Sequence, residues 1–259
     1  MEIVHLDIDT EVFGGNVLQI HGFAPSDDFA AFERTYTEKY HPVYVVCRIR
    51  GEDLAAVHFL EGQGFRYVDF AMELLTMIRQ KDVSRYPEYR CAEVLDDDLE
   101  QVLEIAGSTF THDRVTRDPV LGKALSGERY RRLVLQSRAR ANEHVLGLYD
   151  RATNHVVAFT VFKDEGNGRA CGLLSGVRSE YRRTGLGLIN EYFWFNELAR
   201  RGFREASGCI AGANYPIVNM EVRVVGHRFV QSWVVLRKVY GAGFRSDSGS
   251  AGPTTPPTH

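Results

Sequence analysis

The sequence predicts a mixed α/β (α+β) fold rather than a doubly wound sheet. Strand-like and helix-like segments alternate along most of the 259 residues, yet three strands, "HVLGLYD", "HVVAFTVFKD" and "RACGLLSGVR", follow one another in the middle with only turns between them. Such a meander has no place in a strictly alternating parallel sheet. The chain also repeats itself weakly. "VHFLEGQGFRYVDFAMELL" and "MEVRVVGHRFVQSWVVLRK" both run helix, glycine, aromatic, strand, a likeness for which chance is a real competitor.

The elements follow in order. Short strands are expected at "EIVHLDI", "NVLQIHG" and "VYVVCRI", then a helix "DLAAVHFLEGQ" with Asp53 as N-cap and Gly64 as the left-handed residue that ends it. The strand "RYVDFAMELLTMI" closes this half. The polar segment "RQKDVSRYPEYR" separates it from the next, so we read an N-terminal domain over 1–85, a larger one over 86–240 and a disordered Gly/Ser/Pro/Thr tail over 241–259. The larger part starts with the strand "YRCAEVL". In "DDDLEQVLEIAGSTF", Leu99, Val102, Leu103 and Ile105 share one helical face and three Asp residues sit at the positive end of the helix dipole. A second helix, "GERYRRLVLQSRAR", leads into the meander. After it come a helix from about Leu186, the strand "EASGCIAG", the segment "ANYPIVNMEVRVVGHRF" and a last strand "VQSWVVLRKVY".

Composition excludes several function classes. An apolar content of 44% and a charged content of 25% are those of an ordinary globular protein, and a net charge of −3 gives no field for nucleic acid. Cys47, Cys91, Cys171 and Cys209 are widely spaced and form no CxxC pair, so free thiols in a reducing cytoplasm are the expectation. The acidic N-terminus is unlike a signal peptide, and no apolar stretch nears the ~20 residues of a membrane helix. No HExxH, carboxylate-rich calcium loop or GxSxG elbow occurs, so neither a metal nor a covalent nucleophile is expected.

The segment "EYRRTGLGLINEYFWFNELARRGF" carries the most chemistry. A strand precedes it, and Leu188, Ile189, Tyr192, Phe193 and Phe195 continue it as a helix. The first turn of a helix has unpaired N–H groups and a positive dipole end, which together bind anions. Gly185 and Gly187 bare that backbone, and Arg182 and Arg183 add charge, which suits a pyrophosphate. A glycine-started helix with solvated arginines would read the same way. There is no GxGxxG with a following acidic residue and no GK[ST], so neither a Rossmann site nor a P-loop fits. The aromatics Tyr192 to Phe195 are more simply core or dimer contact than an acyl pocket.

In its context, "LLSGVRSEYRRTGLGLINEYFWFNELARRGF" resembles the coenzyme A motif of the GNAT superfamily of N-acyltransferases, [RQ]xxGx[GA] between a strand and a long helix, with Arg182, Gly185 and Gly187 at the defining places. Residues from about Tyr89 to Tyr240 follow that superfamily's element order. "STFTHDRVTRDP" and the opening "LDIDTEVFGGNVLQI" with "GFRYVD" resemble TDP-fucosamine acetyltransferase and its amino-sugar relatives, whose truncated N-terminal half is itself GNAT-like.

The resemblance implies a GNAT-like fold with such a truncated half, acetyl-CoA or another acyl-CoA as co-substrate, and a small-molecule amine as acceptor, with no nucleic acid or membrane partner and a homodimer as a family habit. It implies that the strand Leu173 to Arg178, Ser175 included, pairs with the pantetheine arm, that the Val177 amide meets the thioester oxygen, and that the amides of Arg183, Thr184, Gly185, Leu186, Gly187 and Leu188 hold the pyrophosphate. Asn214, with Asn219 second, matches the Asn that contacts the arm; a helix N-cap is its plainer role. Relatives place a Tyr general acid four residues before the glycine of a following "GF". Here that place holds Val222, or Glu221 if the register moves by one, and "GF" has become "GHRF". Tyr215 would have to reach in from the helix start instead. Glu221, His112 and Asp113 are candidates to accept the amine proton. Asp113 and Arg114 would pair with each other or bind a nucleotide sugar, and Asp118-Pro119 reads as a helix start. A peptide or amino-acid acyltransferase and a non-catalytic acyl-CoA-binding module are the alternatives.

Overall fold

The computed structural model describes residues 1–25 and 28–241, apart from the Lys123 side chain. The expected tail therefore lies outside the described residues, save Gly241.

The first half runs β1 (Glu2–His5), α1 (Asp7–Phe13), β2 (Val17–His21), α2 (Phe29–Tyr40), β3 (Tyr44–Arg50), α3 (Leu54–Gly62) and β4 (Arg66–Met77). The second runs β5 (Tyr89–Glu93), α4 (Leu99–Thr109), α5 (Arg114–Arg117), α6 (Lys123–Ala139), the meander β6 (Glu143–Asp150), β7 (Val156–Gly166) and β8 (Arg169–Val177), then α7 (Leu186–Arg200), β9 (Glu205–Ala211), α8 (Tyr215–Met220) and β10 (Arg228–Val239). Asp53 accepts from the Ala56 amide, and Gly64 holds φ 88° just past α3, as the sequence predicts.

Two helices of the first half escape the sequence reading, as does the short α5. The strand expected over "EIVHLDI" stops at His5, because Asp7 and Asp9 open α1 instead. The whole of α2 is also missed. Its signal was present in Asp28 at the N-cap and Phe29, Phe32, Tyr36 and Tyr40 at helical spacing, but aromatic residues are weak helix formers on their own.

All ten strands form one sheet in the order β1-β2-β3-β10-β4-β9-β8-β7-β6-β5. The order reveals an exchange. The last strand of each half, β4 and β10, lies beside the other half's strand: β10 pairs with β3, and β4 with β9, both antiparallel. β4 and β10 also pair with each other, so the sheet runs unbroken across the segment that joins the halves. Helices cover both faces. Strand alternation sends Val45, Cys47 and Ile49 into a core with α2 and α3, and Tyr44 and Val46 into one with α1 and α5. Farther along, α4 and α6 pack on one face of β6 and β7, and Trp194, Phe195 and Leu198 of α7 pack on the other.

Buried ion pairs tie the halves together. Asp9 of α1 is buried between Arg114 and Arg129, and Asp118 accepts from Tyr44 and, at 2.9 Å, from Arg237. Arg114 thus pairs with Asp9 and not with Asp113, whose carboxylate caps α5. Asp118 is a buried tether rather than a helix start.

Candidate functional site: an open strand pair and a bare helix start

β8 and β9 run parallel and pair only from Arg169/Glu205 to Gly172/Gly208. Beyond that the strands part, although each stays paired on its far side, β8 with β7 and β9 with β4. The break coincides with a bulge. Leu174 opposes Val161 and Gly172 opposes Phe162, so Leu173 is an extra residue, and it stands 40% exposed. The bulge also swaps faces: Gly172 lies under Trp194 of α7, whereas Gly176 lies under Ile105 of α4.

The open stretch presents backbone groups. The Arg178 amide donates to Val157 of β7 at 2.9 Å. In an antiparallel ladder, neighbours alternate, so the amides of Val177 and Ser175 point the other way, into the gap. The Val177 carbonyl accepts from the Thr109 hydroxyl at 3.3 Å, and the Ser175 hydroxyl accepts from Asn190 of α7 at 3.2 Å.

The loop after β8 leaves backbone amides bare at a helix start. Arg183 has φ 65° and Gly185 φ 91°. A left-handed arginine costs about 1 kcal/mol and persists only where its surroundings hold it. Gly185 precedes α7 without any side-chain cap. The Leu188 amide bonds to the Gly185 carbonyl, while the amides of Arg183, Gly185 and Gly187 have no acceptor among the described residues. A Cβ on Gly187 would lie 3.9 Å from Val177, so this turn sits directly on the end of β8. The two arginines differ. Arg182 donates to the Ser108 carbonyl at 2.8 Å and pins the loop to α4, whereas Arg183 is exposed and forms no ion pair among the described residues. Thr184 braces the loop through its hydroxyl, 2.7 Å from the Tyr181 carbonyl.

The other lip follows β9. Asn214 occupies the N-cap of α8, yet its side chain makes no cap hydrogen bond. Tyr215 beside it is 69% exposed. Asn219 is exposed and donates to the Tyr215 carbonyl, a local helix bond. His112 is exposed on the α4–α5 connection. The fold thus brings Ser175, Val177, the loop from Arg182 to Leu188, and Asn214 with Tyr215 to the ends of β8 and β9; Glu221 lies apart from them in burial.

Glu221 begins a π-helical turn, Glu221–Val225, in which the amides of Gly226 and His227 both donate to its carbonyl at 2.9 Å. The wider turn is why counting back from Gly226 gives an ambiguous register: it takes one residue more than an α-turn. The Glu221 side chain is buried beside Glu191 of α7 and His227. Burial, and then the Glu221 carboxylate, push the Glu191 carboxyl well above its ordinary range. Sequence reasoning missed this group because its members lie on three elements and Glu191 stands among helix-forming neighbours with no motif of its own.

No family model matches the chain, and no curated protein does. Solved structures do. A GCN5-related N-acetyltransferase from Sphaerobacter thermophilus is 17% identical, with a TM-score of 0.64 over 92% of this chain and 76% of that one. A tandem GNAT protein from the clavulanic acid biosynthesis pathway is 14% identical, with a TM-score of 0.58 over 90% of this chain and 77% of that one. The GCN5-related glucosamine N-acetyltransferase region of a fungal multi-domain GH3 beta-N-acetylglucosaminidase is 13% identical, with a TM-score of 0.60 over 92% of this chain and 31% of that one. The mixed α+β sheet with its parted strand pair is therefore the GNAT fold.

Proposed function

We propose that the protein is an acyl-CoA-dependent N-acyltransferase, most simply an N-acetyltransferase, acting on the primary amine of a small molecule. The observation that carries this reading is the pairing of unsatisfied amides at Arg183, Gly185 and Gly187 with the inward amides of Ser175 and Val177. One set suits a pyrophosphate; the other suits an amide-bearing arm and a polarised thioester oxygen. Arg183 supplies the free charge, and Asn214, with its side chain uncommitted, is a second contact for the arm.

The reaction would be direct. The neutral amine attacks the thioester carbon, an N–C bond forms as the C–S bond breaks, the Val177 amide stabilises charge on the thioester oxygen, and the amine gives up one proton while the departing thiolate gains one. Of the three side chains proposed for proton transfer, Tyr215 is exposed at the lip of the parted strands. His112 is exposed on the α4–α5 connection, and Glu221 is enclosed with Glu191 and His227.

For the acceptor we favour an amino sugar, including a nucleotide-linked one. The support is the sequence likeness noted above and the glucosamine-acylating region among the similar folds. Asp113 and Arg114, which could have recognised such a sugar, are engaged in capping and in the Asp9 pair, so recognition would fall to other residues. No described helix is long and apolar enough to cross a membrane; we place the enzyme in the cytoplasm. A second reading, an acyl-CoA-binding module without turnover, is favoured by the enclosure of Glu221.

The test is thiol release from acetyl-CoA with glucosamine, nucleotide-linked amino sugars and amino acids as acceptors. Amine-dependent release that drops at least 10-fold in Tyr215→Phe supports the enzyme. Acetyl-CoA binding with no acceptor raising release above hydrolysis would leave the binding module.

A further inference from the structure

The described residues hold one group of side chains with metal-ligand character: Glu191 of α7, Glu221 at the head of the π-turn and His227 just after it. All three are at least nine-tenths buried, with 5%, 7% and 7% exposure. One ligand atom from each lies within 4.8 Å of the other two. His227 Nδ1 stands 2.9 Å from Glu221 Oε2, but neither atom has an aligned hydrogen bond. No hydrogen bond joins the two carboxyl groups, and Lys81 forms no ion pair with either; its ammonium reaches the Val225 carbonyl at 3.5 Å. Buried carboxyl groups without aligned hydrogen bonds are costly, and these two have not adopted the short contact of a shared proton.

The other half of the chain shows what the fold itself requires here. Past α3 a left-handed glycine, Gly64, is followed by Phe65, fully buried against Phe29 of α2 at 5.9 Å between ring centres. Past α8 a left-handed glycine, Gly226, is followed by His227, buried against Phe195 of α7 at 6.0 Å. The packing role is met by a phenylalanine, so an imidazole facing two carboxylates answers to something else.

We propose that Glu191, Glu221 and His227 bind a divalent transition-metal ion of the Zn2+ type, with an open fourth position. Two carboxylates and a neutral imidazole balance its charge, and O, O and N are ligands that such ions accept. At bond lengths of about 2.1 Å, ligand atoms around a tetrahedral ion lie about 3.4 Å apart; the three atoms here lie within 4.8 Å of one another, so binding asks for a closure of up to about 1.4 Å. The ion pins the π-turn to α7 and so holds the lip that carries Tyr215. Such an ion would run against the expectation, drawn from the absence of a local motif, that the chain takes no metal.

The test is titration of EDTA-stripped full-length protein with Zn2+ by calorimetry, with melting measured beside it. Wild type is expected to bind one Zn2+ per chain and to melt higher with it, and a Cys171→Ser, Cys209→Ser variant is expected to do the same. Glu191→Gln and His227→Gln should each weaken binding at least 10-fold, since even loss of a supporting contact costs that much. Glu191→Gln replaces a buried carboxyl by an uncharged amide of the same size, so its metal-free form should melt no lower than wild type, which separates lost binding from lost folding. No Zn2+ binding by wild type, binding undiminished in Glu191→Gln, or binding abolished by the cysteine variant would each overturn the proposal. None of these readouts depends on acyl-CoA.

Discussion

Two helix starts follow parallel strands in each half of the molecule, and the halves treat them oppositely. In the first, α2 and α3 begin at Asp28 and Asp53, and each carboxylate accepts from an amide of its own helix, at 3.2 Å and 3.0 Å. In the second, α7 begins at Gly185 and α8 at Asn214, and neither receives a side-chain cap. An aspartate at a helix start supplies the anion that the dipole favours; a glycine leaves the place open for one from outside. The contrast extends to filling. Phe23, Phe29, Phe59 and Phe65 pack against one another around α2 and α3, whereas β8 and β9 part beside backbone amides. One half is closed by its own side chains, and the other leaves amides bare, as the proposed acyl-CoA site requires.

The largest effect would come from separating the halves. Because β4 lies between β9 and β10, a fragment of residues 86–241 lacks the strand that pairs with β9. We expect it to be insoluble or to show no cooperative melt by circular dichroism. A fragment that melted cooperatively near the full chain's temperature would mean that β10 can take the place of β4.

A smaller effect lies on the exchanged strand itself. Burial lifts the Asp69 carboxyl to about 6. Its folded value exceeds its unfolded one, so the folded chain holds the proton up to higher pH, and stability falls as pH rises between about 4 and 6. Asp69→Asn should therefore stabilise by roughly 3 kcal/mol at pH 7 and by nothing at pH 4, as read from urea unfolding at both values. Equal gains at both would place the effect in packing instead.

The caps sharpen the contrast most finely. Asp53→Ala and Asp28→Ala should each cost about 1 kcal/mol in urea unfolding and leave acyl-CoA affinity unchanged. Asn214→Ala should cost less than about 0.5 kcal/mol, having no cap bond to lose, but weaken acetyl-CoA binding several-fold in a titration. If Asn214→Ala behaved like Asp53→Ala, the two helix starts would not differ in kind.

What was legible in the sequence was local. The loop from Arg182 to Leu188 could be read because glycines and arginines act within one turn of helix, and their conformational demand is written in neighbouring residues. The strand exchange could not. The two copies of the helix–glycine–ring–strand repeat resemble each other, so either strand satisfies either partner's pattern, and only the three-dimensional order shows which pairing is made. The α2 helix was hidden by weak helix formers whose burial, not propensity, makes them helical. The π-turn at Glu221 misled the register because one extra residue shifts everything that is counted from Gly226. Arg114 and Asp118 look like local features in the sequence, whereas their partners, Asp9 and Arg237, lie more than a hundred residues away.

The most direct test of an open, anion-seeking half is a calorimetric titration of the full chain with acetyl-CoA, beside an Arg183→Glu, Gly185→Asp double variant. Asp tolerates the left-handed conformation and places a carboxylate where the phosphate would sit. The account predicts binding by wild type and at least 100-fold weaker binding by the variant, with the melting temperature preserved. No binding by wild type, or equal binding by both, would contradict it.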